Sequence, residues 1–303
     1  MIKRSGKLAF AFFLCLLVLI IYCHDALNSL LRRPTIPVIP QLIWQVFLDP
    51  RGPPGDLKAA RESWSTVNPD HELILVDQAG VSSQLDQYLK TRPHLQHVLD
   101  ASIPFVLRAD ILRYLLLASY GGVYSDIDVT ALKPISTWIP HEFKSGARLV
   151  IGIEYDQLDW DERWPKTVHS VQLCQWTIMA VPDHEVLWTA TERAAYALLD
   201  LADKQGTDLS NLDLSDNQIV MSTTGPVVWT AVILEYLRKH FRADLQYRDL
   251  SNVTEPTLFH DVLILPINAF GTGQEHSGSV RDGSPDALVR HAWRGSWLVK
   301  DHS

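Results

Sequence analysis

The strongest periodic pattern of apolar and polar side chains lies at residues 105–120. Apolar residues recur there at spacings of three and four, which is the period of a helix. These residues are Val106, Ala109, Leu112 and Leu116. The pattern predicts a buried helix of about four turns. Gly121 and Gly122 are expected to end it, because glycine readily adopts the left-handed conformation of a helix end.

Apolar runs elsewhere predict the strands of an α/β fold. They lie at residues 42–47, 73–76, 149–153, 173–180 and 263–265. Further helical patterns run through Ala59, Ala60 and Trp64 and over residues 184–203 and 227–240. The order strand, helix, strand at the start of the domain favours a right-handed parallel unit. We therefore expect one domain, residues 41–303, with a Rossmann-like and mostly parallel sheet.

Two aspartates follow the glycine pair on a short strand that is expected from Val123 to Val129. Side chains alternate along a strand with period two, so Asp126 and Asp128 should project to the same side. Neighbouring carboxylates repel one another unless a cation or a proton lies between them, and we interpret this pair as a cation site. A solvated turn is the commoner setting for such a pair. Residues 126–130 also match the D-x-D-x-T signature of aspartyl-phosphate phosphatases, but the sequence lacks the acidic pair that those enzymes carry downstream.

The chain resembles the D-x-D glycosyltransferases of family 32 in two neighbouring runs. They are RADILRY at residues 108–114 and GGVYSDID at residues 121–128. Within the family the chain is similar to the fungal Golgi α-1,6-mannosyltransferases that start N-glycan outer chains. Three more stretches resemble family signatures: residues 39–45, the T-G-P at 224–226, and HAWRGSW at 291–297. The resemblance implies a nucleotide-diphospho-sugar transferase fold of the GT-A type.

The resemblance also implies roles for residues of the two central runs. Asp126 and Asp128 are expected to be the catalytic aspartates, with Asp128 binding a divalent cation, Mn²⁺ or Mg²⁺. Asp126 is expected to bind the donor ribose or a metal-bound water, and so to complete the metal site. Asp110 and Arg113 should orient hydroxyl groups of the donor sugar. Arg113 lies three residues after Asp110 on one helix face, so we also expect it to be buried and paired.

Two residues outside these runs complete the expected site. Trp44 stands where the family usually has histidine, and its ring could stack on the purine base of the donor. His291 lies in the closing segment, from which a metal ligand is expected, and neutral imidazole suits manganese better than magnesium. No residue stands out as a catalytic base or nucleophile, and that role stays unassigned.

The N-terminus has the composition of a membrane anchor. Three basic residues lie within residues 1–7, and an apolar run of fifteen residues follows at 8–22. The run is shorter than the roughly twenty residues of a typical span. We expect a cytosolic tail at residues 1–7, an uncleaved signal-anchor at 8–23 and a proline-rich stem at 24–40, with the domain in the lumen of the Golgi or the ER. A cleaved signal peptide is the alternative.

Composition and charge narrow the possible partners. The formal net charge is −8 and no basic cluster follows the stem, which argues against a nucleic-acid partner. Of three cysteines only Cys174 lies beyond the anchor region, so neither a disulfide framework nor a zinc-type spacing is expected. Asn252 begins an N-V-T acceptor sequence for N-glycosylation, which a luminal domain could use.

Together these features predict a type II membrane glycosyltransferase that moves a hexose. The resemblance favours mannose from GDP-mannose and an N-glycan acceptor in α-1,6 linkage with retention of configuration. An inositol phosphorylceramide acceptor and a UDP-hexose donor are the alternatives within the enzyme class. A lectin-like or accessory subunit of a mannosyltransferase complex is the alternative outside it.

Overall fold

The computed structural model describes residues 38–158, 167–274, 277–280 and 283–294. The expected cytosolic tail, the signal-anchor and nearly all of the expected stem lie outside the described residues. The same holds for residues 295–303 of the expected domain, which include Gly295, Ser296 and Trp297 of the closing motif. The expected boundaries between tail, anchor, stem and domain therefore stay predictions.

The described residues form ten strands. These are β1 (Leu42–Val46), β2 (Glu72–Val76), β3 (Gly122–Ser125), β4 (Val129–Ala131), β5 (Leu149–Asp156), β6 (Val171–Leu173), β7 (Thr177–Ala180), β8 (Thr257–Phe259), β9 (Val262–Leu265) and β10 (Val289–His291). Eight of them form one sheet in the order β2, β1, β3, β7, β5, β9, β8, with β6 also paired to β5. Strands β4 and β10 form a separate antiparallel pair.

The main sheet is mixed, so the expected α/β class is confirmed and the expected mostly parallel sheet is wrong. Parallel pairs join β1 to β2, β1 to β3 and β5 to β9. The pairs β3 with β7, β5 with β7, β5 with β6 and β8 with β9 are antiparallel. The described part of the connection from β5 to β6 contains no helix. A return without a crossover helix gives antiparallel pairing, because parallel neighbours need a long crossover.

The strand expected at residues 173–180 is two strands. Both β6 and β7 run antiparallel to β5, and residues 174–176 leave the sheet between them. The apolar run continues through the interruption because the side chains of Cys174 and Trp176 are buried there as well. The apolar run therefore predicted correctly that residues 173–180 are buried, but the prediction that they form one continuous strand is wrong.

Helices cover both faces of the sheet. They are α1 (Lys58–Val67), α2 (Gln78–Leu89), α3 (Pro93–Asp100), α4 (Phe105–Tyr120), α5 (Glu185–Gln205), α6 (Asn217–Thr223), α7 (Pro226–His240) and α8 (Ile267–Phe270). One core cluster unites α4, α5 and α7 with one face of the sheet, and a second unites α1 and α8 with the other face. Helix α4 spans the expected four turns and is buried almost all round. Leu112 and Leu116 are buried as expected, but Val106 and Ala109 are only partly buried, and charged residues between the expected core positions are buried instead.

One stretch of the described residues, Asn217–His240, is long and apolar enough to cross a membrane. It contains α6 and α7, and 67% of its most apolar window is buried inside the protein. Its apolar side chains are therefore used in the core, where α7 packs on α5 and β6.

The glycine pair after α4 lets the chain turn directly into β3, and this gives a testable prediction. Gly122 has φ +97°, and a Cβ atom there would lie 2.5 Å from the carbonyl oxygen of Leu42 in the neighbouring strand. Gly206 after α5 also has a positive φ, +62°, but a Cβ atom there meets nothing within 4 Å. We expect Gly206→Ala to cost about 1 kcal/mol, the price of the left-handed conformation alone. Gly122→Ala adds overpacking against backbone and should cost about 3 kcal/mol.

Urea unfolding of the two purified variants compares these losses. The interpretation predicts a clearly larger loss for Gly122→Ala than for Gly206→Ala. Equal losses for the two variants would show that the close approach of β3 to β1 has no energetic consequence.

Candidate active site

The two aspartates of the central motif lie in a turn at the carboxyl end of β3. The strand ends at Ser125, and the Val129 N–H donates to the carbonyl oxygen of Asp126 at 3.1 Å to close the turn. The expected strand from Val123 to Val129 is therefore wrong at its end. A turn brings carboxylates together as well as strand alternation does, and the carboxyl ends of strands are where open α/β sheets bind ligands.

The closing segment of the chain lies against this turn. Strand β10 pairs with β4 so that His291 lies opposite Val129, and the Ala292 N–H donates to the Asp128 carbonyl oxygen at 3.1 Å. His291 Nε2 lies 3.2 Å from Asp128 Oδ1. One ligand atom each from Asp126, Asp128 and His291 lies within 4.8 Å of the others. The three expected metal ligands thus meet, although they lie up to 165 positions apart in the chain.

Asp128 is held as a carboxylate by its neighbours. Burial acts to raise the pKa of Asp128, but the hydrogen bond and the charge of His291 act to lower it, helped by the Arg294 N–H. The net result is a pKa below the usual value for aspartate. Its side chain is only 13% exposed, so the negative charge is concentrated at a site with little water.

Arg113 joins helix α4 to the aspartate turn. Its Nη2 lies 3.0 Å from Asp110 Oδ1 and 3.1 Å from Asp126 Oδ1, and its side chain is 6% exposed. The guanidinium also lies over the Tyr124 ring, whose hydroxyl donates to Asp126 at 2.6 Å. The prediction that Arg113 is buried and paired is confirmed. Burial acts to lower the pKa of Arg113, but the nearby carboxylates, Asp126 foremost, raise it above its ordinary value, so the guanidinium stays charged.

Asp110 lies deeper than Asp126 and faces the protein on every side. It is 2% exposed and accepts a hydrogen bond from the Thr224 hydroxyl at 2.7 Å, and Gln175 Nε2 lies 3.4 Å away. Burial raises the pKa of Asp110 to about 6, and Arg113 and Thr224 offset this only partly. The T-G-P segment therefore reaches the site through Thr224. In this arrangement Asp110 acts on Arg113, and its direct contact with a donor hydroxyl stays a prediction.

The structure argues against the expected role of Trp44. Its side chain is 1% exposed in the core on the α4 side of the sheet, where the indole N–H donates to the Gly121 carbonyl oxygen at 2.9 Å. Its ring packs on Tyr120, with 5.4 Å between the ring centroids. A ring enclosed on all sides has no face left for a base, so we remove Trp44 from the donor site. The apolar strand around it was the signal for burial.

The charges and donor atoms of the site fit a divalent cation. Asp110 and Asp126 share the guanidinium of Arg113, and Asp128 contacts His291. The three carboxylates and Arg113 together carry two net negative charges, or one when His291 is protonated. The Arg294 guanidinium is paired with Asp56 instead. Within the part of the chain that the structure describes, His291 Nδ1 is buried without a hydrogen-bond partner. Two carboxylates and an imidazole are a donor set that suits manganese.

Some residues of the site were missed by the sequence reasoning. Tyr124 lies two positions before Asp126, and period-two alternation could have placed it on the same face. Gln175 accepts a hydrogen bond from the Tyr114 hydroxyl beside Asp110, and Trp176 packs on His291 with 4.5 Å between ring centroids. These two follow β6, and no local pattern connects that segment to α4 or to the C-terminal segment.

Comparisons with known proteins give matches to glycosyltransferases. Residues 54–144 match the family described as glycosyltransferase sugar-binding region containing DXD motif. An initiation-specific alpha-1,6-mannosyltransferase of Schizosaccharomyces pombe is 37% identical over 265 residues, which cover 86% of this chain and 64% of that protein. A protein of the same name from Candida albicans is 28% identical over 273 residues, covering 84% and 70%. The chain thus spans slightly less than two thirds of the S. pombe relative.

Among solved structures, the PaToxG glycosyltransferase superposes with a TM-score of 0.47 at 16% identity, covering 72% of this chain and 76% of that one.

Proposed function

We propose, from the match of residues 54–144 to the sugar-binding region of DXD glycosyltransferases, that the chain is a metal-dependent hexosyltransferase. The donor that we propose is GDP-mannose. The names of the fungal relatives support mannose in α-1,6 linkage. The N-glycan outer chain as acceptor and the retention of configuration are proposed from the family resemblance. The fold that we propose is of the GT-A type, with the parallel unit of β2, β1 and β3 leading into the aspartate turn.

The observation that carries this proposal is the meeting of Asp126, Asp128 and His291 at the end of β3. A solvated turn, the alternative for such an aspartate pair, needs neither a histidine from a distant strand nor a buried guanidinium. Here His291 contacts Asp128 and Arg113 contacts Asp126, so both carboxylates are held in place from opposite sides. Fixed, partly buried charges of this kind act strongly on a charged substrate.

Each residue of the site has a role in this proposal. Asp128 and His291 hold a divalent cation, and Asp126 binds the donor ribose or a metal-bound water. Arg113 fixes Asp126 and keeps a positive charge in the wall of the site, while Asp110 positions Arg113. When bound, the cation neutralises the charge of the diphosphate leaving group as a Lewis acid.

A thermal-shift panel of nucleotide sugars with Mn²⁺ tests the donor assignment. A ligand present at about 100 times its Kd adds about 2.7 kcal/mol to the free energy of unfolding. We expect GDP-mannose with Mn²⁺ to raise the Tm more than UDP-galactose or UDP-N-acetylglucosamine does. A larger Tm shift with a UDP-sugar would show that the donor is that UDP-sugar and not GDP-mannose. The absence of any metal-dependent shift would support the lectin-like or accessory subunit. Transfer of mannose to inositol phosphorylceramide and not to a mannoside would show that the acceptor is the glycolipid and not an N-glycan.

We also propose that the domain is luminal, in the Golgi or the ER, behind a single-pass signal-anchor. Asn252 of the N-V-T sequence is exposed, and so is Thr254, while the Asn252 N–H is fixed by a 2.7 Å hydrogen bond to Asp156. An exposed asparagine on a fixed backbone is accessible to N-glycosylation.

The predicted glycan can be read directly on a gel. Protein expressed in a eukaryotic secretory pathway should gain mobility after treatment with peptide N-glycosidase. Asn252→Gln and Thr254→Ala should both abolish the shift, because each breaks the single acceptor sequence of the chain. A shift that persists in both variants, or no shift in the wild type, contradicts the luminal placement of Asn252. Released protein that begins near residue 25 would identify a cleaved signal peptide instead of an anchor.

A further inference from the structure

Glu154 lies at a β-bulge beside the site. Strand β5 pairs with β6 through Ile153 opposite Leu173 and then Tyr155 opposite Gln172, so that Glu154 is the extra residue between two registers. A bulge redirects a side chain out of the regular alternation, and bulges are frequent next to active sites. Glu154 is partly buried in a strand whose other residues are all buried. The sequence gives no structural reason for an acidic residue in the middle of that apolar strand.

The Glu154 carboxylate is partly exposed and lies beside two buried side chains, Gln172 and Trp176. Gln172, which is 3% exposed, donates from Nε2 to Glu154 Oε2 at 3.0 Å. The Gln172 Oε1 atom is buried without a hydrogen-bond partner among the described residues. The indole N–H of Trp176, a residue that is 4% exposed, points towards Glu154 and lowers the pKa of that carboxyl, but it makes no full hydrogen bond to any residue that the structure describes. Unpaired buried polar atoms are costly, which points to a ligand that pairs them.

These three side chains adjoin the proposed metal site. The Trp176 ring packs on His291 at 4.5 Å and meets Trp293 edge to face at 5.3 Å between centroids. Burial raises the pKa of Glu154, and the hydrogen bond from Gln172 together with His291, Trp176 and Arg113 lowers it only partly. The Glu154 carboxyl is therefore within electrostatic reach of residues on both sides of the aspartate turn.

We propose that Glu154, Gln172 and Trp176 form a subsite for the hydroxyl groups of a hexose at the reaction centre. Sugar hydroxyls both donate and accept hydrogen bonds, and the subsite offers two acceptors, Glu154 and Gln172 Oε1, and one donor, Trp176 Nε1. This inference rests on the proposed function. The hexose is either the transferred sugar of the donor or the acceptor sugar, and both present the same chemistry to these side chains.

Glu154→Gln is the primary test, with Glu142→Gln as the matched control at an exposed position of the same residue type. The substitution keeps an oxygen that can accept from Gln172, so the Tm should change little. We expect a 10- to 100-fold loss of transfer, on the order of one hydrogen bond to a charged group. Glu154→Asp should restore part of the activity, and Glu142→Gln should behave as wild type. Trp176→Phe keeps the ring on His291, removes the N–H and should lose activity several-fold.

Binding measurements distinguish the two sources of the hexose. If the subsite holds the transferred sugar, Glu154→Gln weakens GDP-mannose binding with Mn²⁺ but leaves GDP binding unchanged. If it holds the acceptor sugar, GDP-mannose binding and donor hydrolysis stay normal and the KM for a mannoside acceptor rises. Either result supports the inference.

Two results overturn it. The first is that both variants, Glu154→Gln and Trp176→Phe, keep the wild-type rate of transfer, donor affinity and acceptor KM. That result would show that water, not a sugar, pairs the buried polar atoms. An equal loss of GDP and GDP-mannose binding with a lowered Tm shows a structural role. In both cases an active wild-type enzyme leaves the proposed function standing. A wild-type protein that transfers no sugar from any nucleotide donor overturns the proposed function and this subsite together.

Discussion

Replacing Asp128 with asparagine is expected to abolish Mn²⁺-dependent donor binding and to slow sugar transfer at least about 100-fold, the scale of a single preorganised electrostatic contact. The change keeps the size and shape of the side chain and removes one negative charge from the site. In the structure this charge lies 3.2 Å from His291 and within reach of Asp126. An amide in its place can still accept a hydrogen bond, but it no longer balances a divalent cation.

The stability of the Asp128→Asn protein should fall slightly. The lowered pKa of Asp128 means that the fold stabilises its ionised form, chiefly through His291. Loss of that interaction outweighs the relief of repulsion from Asp126, so the Tm should decrease by a small amount without unfolding the protein. Circular dichroism and thermal unfolding verify that activity is lost from a folded enzyme.

Three variants separate metal ligation from loss of acidity. Asp126→Asn should weaken Mn²⁺ binding less than Asp128→Asn if Asp126 works mainly through the ribose or a bound water. Asp286→Asn removes an exposed aspartate elsewhere on the described surface and should behave as wild type. Isothermal titration of Mn²⁺ in the presence of GDP gives the metal affinity of each. Near-normal turnover with an unchanged Mn²⁺ dependence in Asp128→Asn contradicts the proposed ligand role.

Replacing Arg113 with alanine is expected to lower the free energy of unfolding by about 3 to 5 kcal/mol, the cost of leaving buried charges without a partner. Arg113 is 6% exposed and is the guanidinium between Asp110 and Asp126. Its removal leaves two carboxylates facing one another across a cavity, and Asp110 is buried with no water to compensate. Transfer activity should be lost as well, because Asp126 loses the contact that fixes it from the side of α4.

Arg193→Ala is the matched control, since Arg193 forms a similar pair with Glu235 at the surface. Its side chain is 37% exposed and that of Glu235 is 52% exposed, so the pair should contribute less than about 1 kcal/mol. Urea unfolding of Arg113→Ala, Asp110→Asn and the double variant gives the coupling between the two residues. Lost activity with an unchanged Tm in Arg113→Ala identifies a donor contact and not a structural bridge.

The parts of the fold that were predictable from sequence depend on local signals. Helix α4 is an apolar segment without Gly or Pro, and the two glycines after it favour an end to the helix. Helix α5 is equally regular and was expected within two residues of its observed ends. The directions of the strands in the mixed sheet could not be predicted from local sequence. The direction of β7 beside β3 depends on how the loop after β5 returns, and the apolar run that contains β7 is compatible with either direction.

The residues of the site likewise fall into those that local sequence predicts and those that it does not. Four site residues lie close together in the sequence: Asp110 and Arg113 on α4, and Asp126 and Asp128 in the turn after β3. Their proximity therefore follows from a helix, a short strand and a turn that succeed one another. His291 was placed only through the family resemblance, since no local pattern brings β10 to β4. Glu154 was not identified because the bulge that redirects it depends on the pairing of β5 with β6. Trp44 was assigned from its position in a motif, whereas the burial of its strand decided its contacts.

Mannosyl transfer from GDP-mannose to a mannoside acceptor, measured with Mn²⁺ and after chelation by EDTA, tests the proposed function most directly. The wild-type protein should form a disaccharide product with Mn²⁺, lose this activity with EDTA and regain it when Mn²⁺ is restored. Asp128→Asn should form at least about 100-fold less product under the same conditions. Transfer that persists in EDTA, or an Asp128→Asn protein as active as the wild type, would contradict a metal-dependent reaction at the aspartate turn.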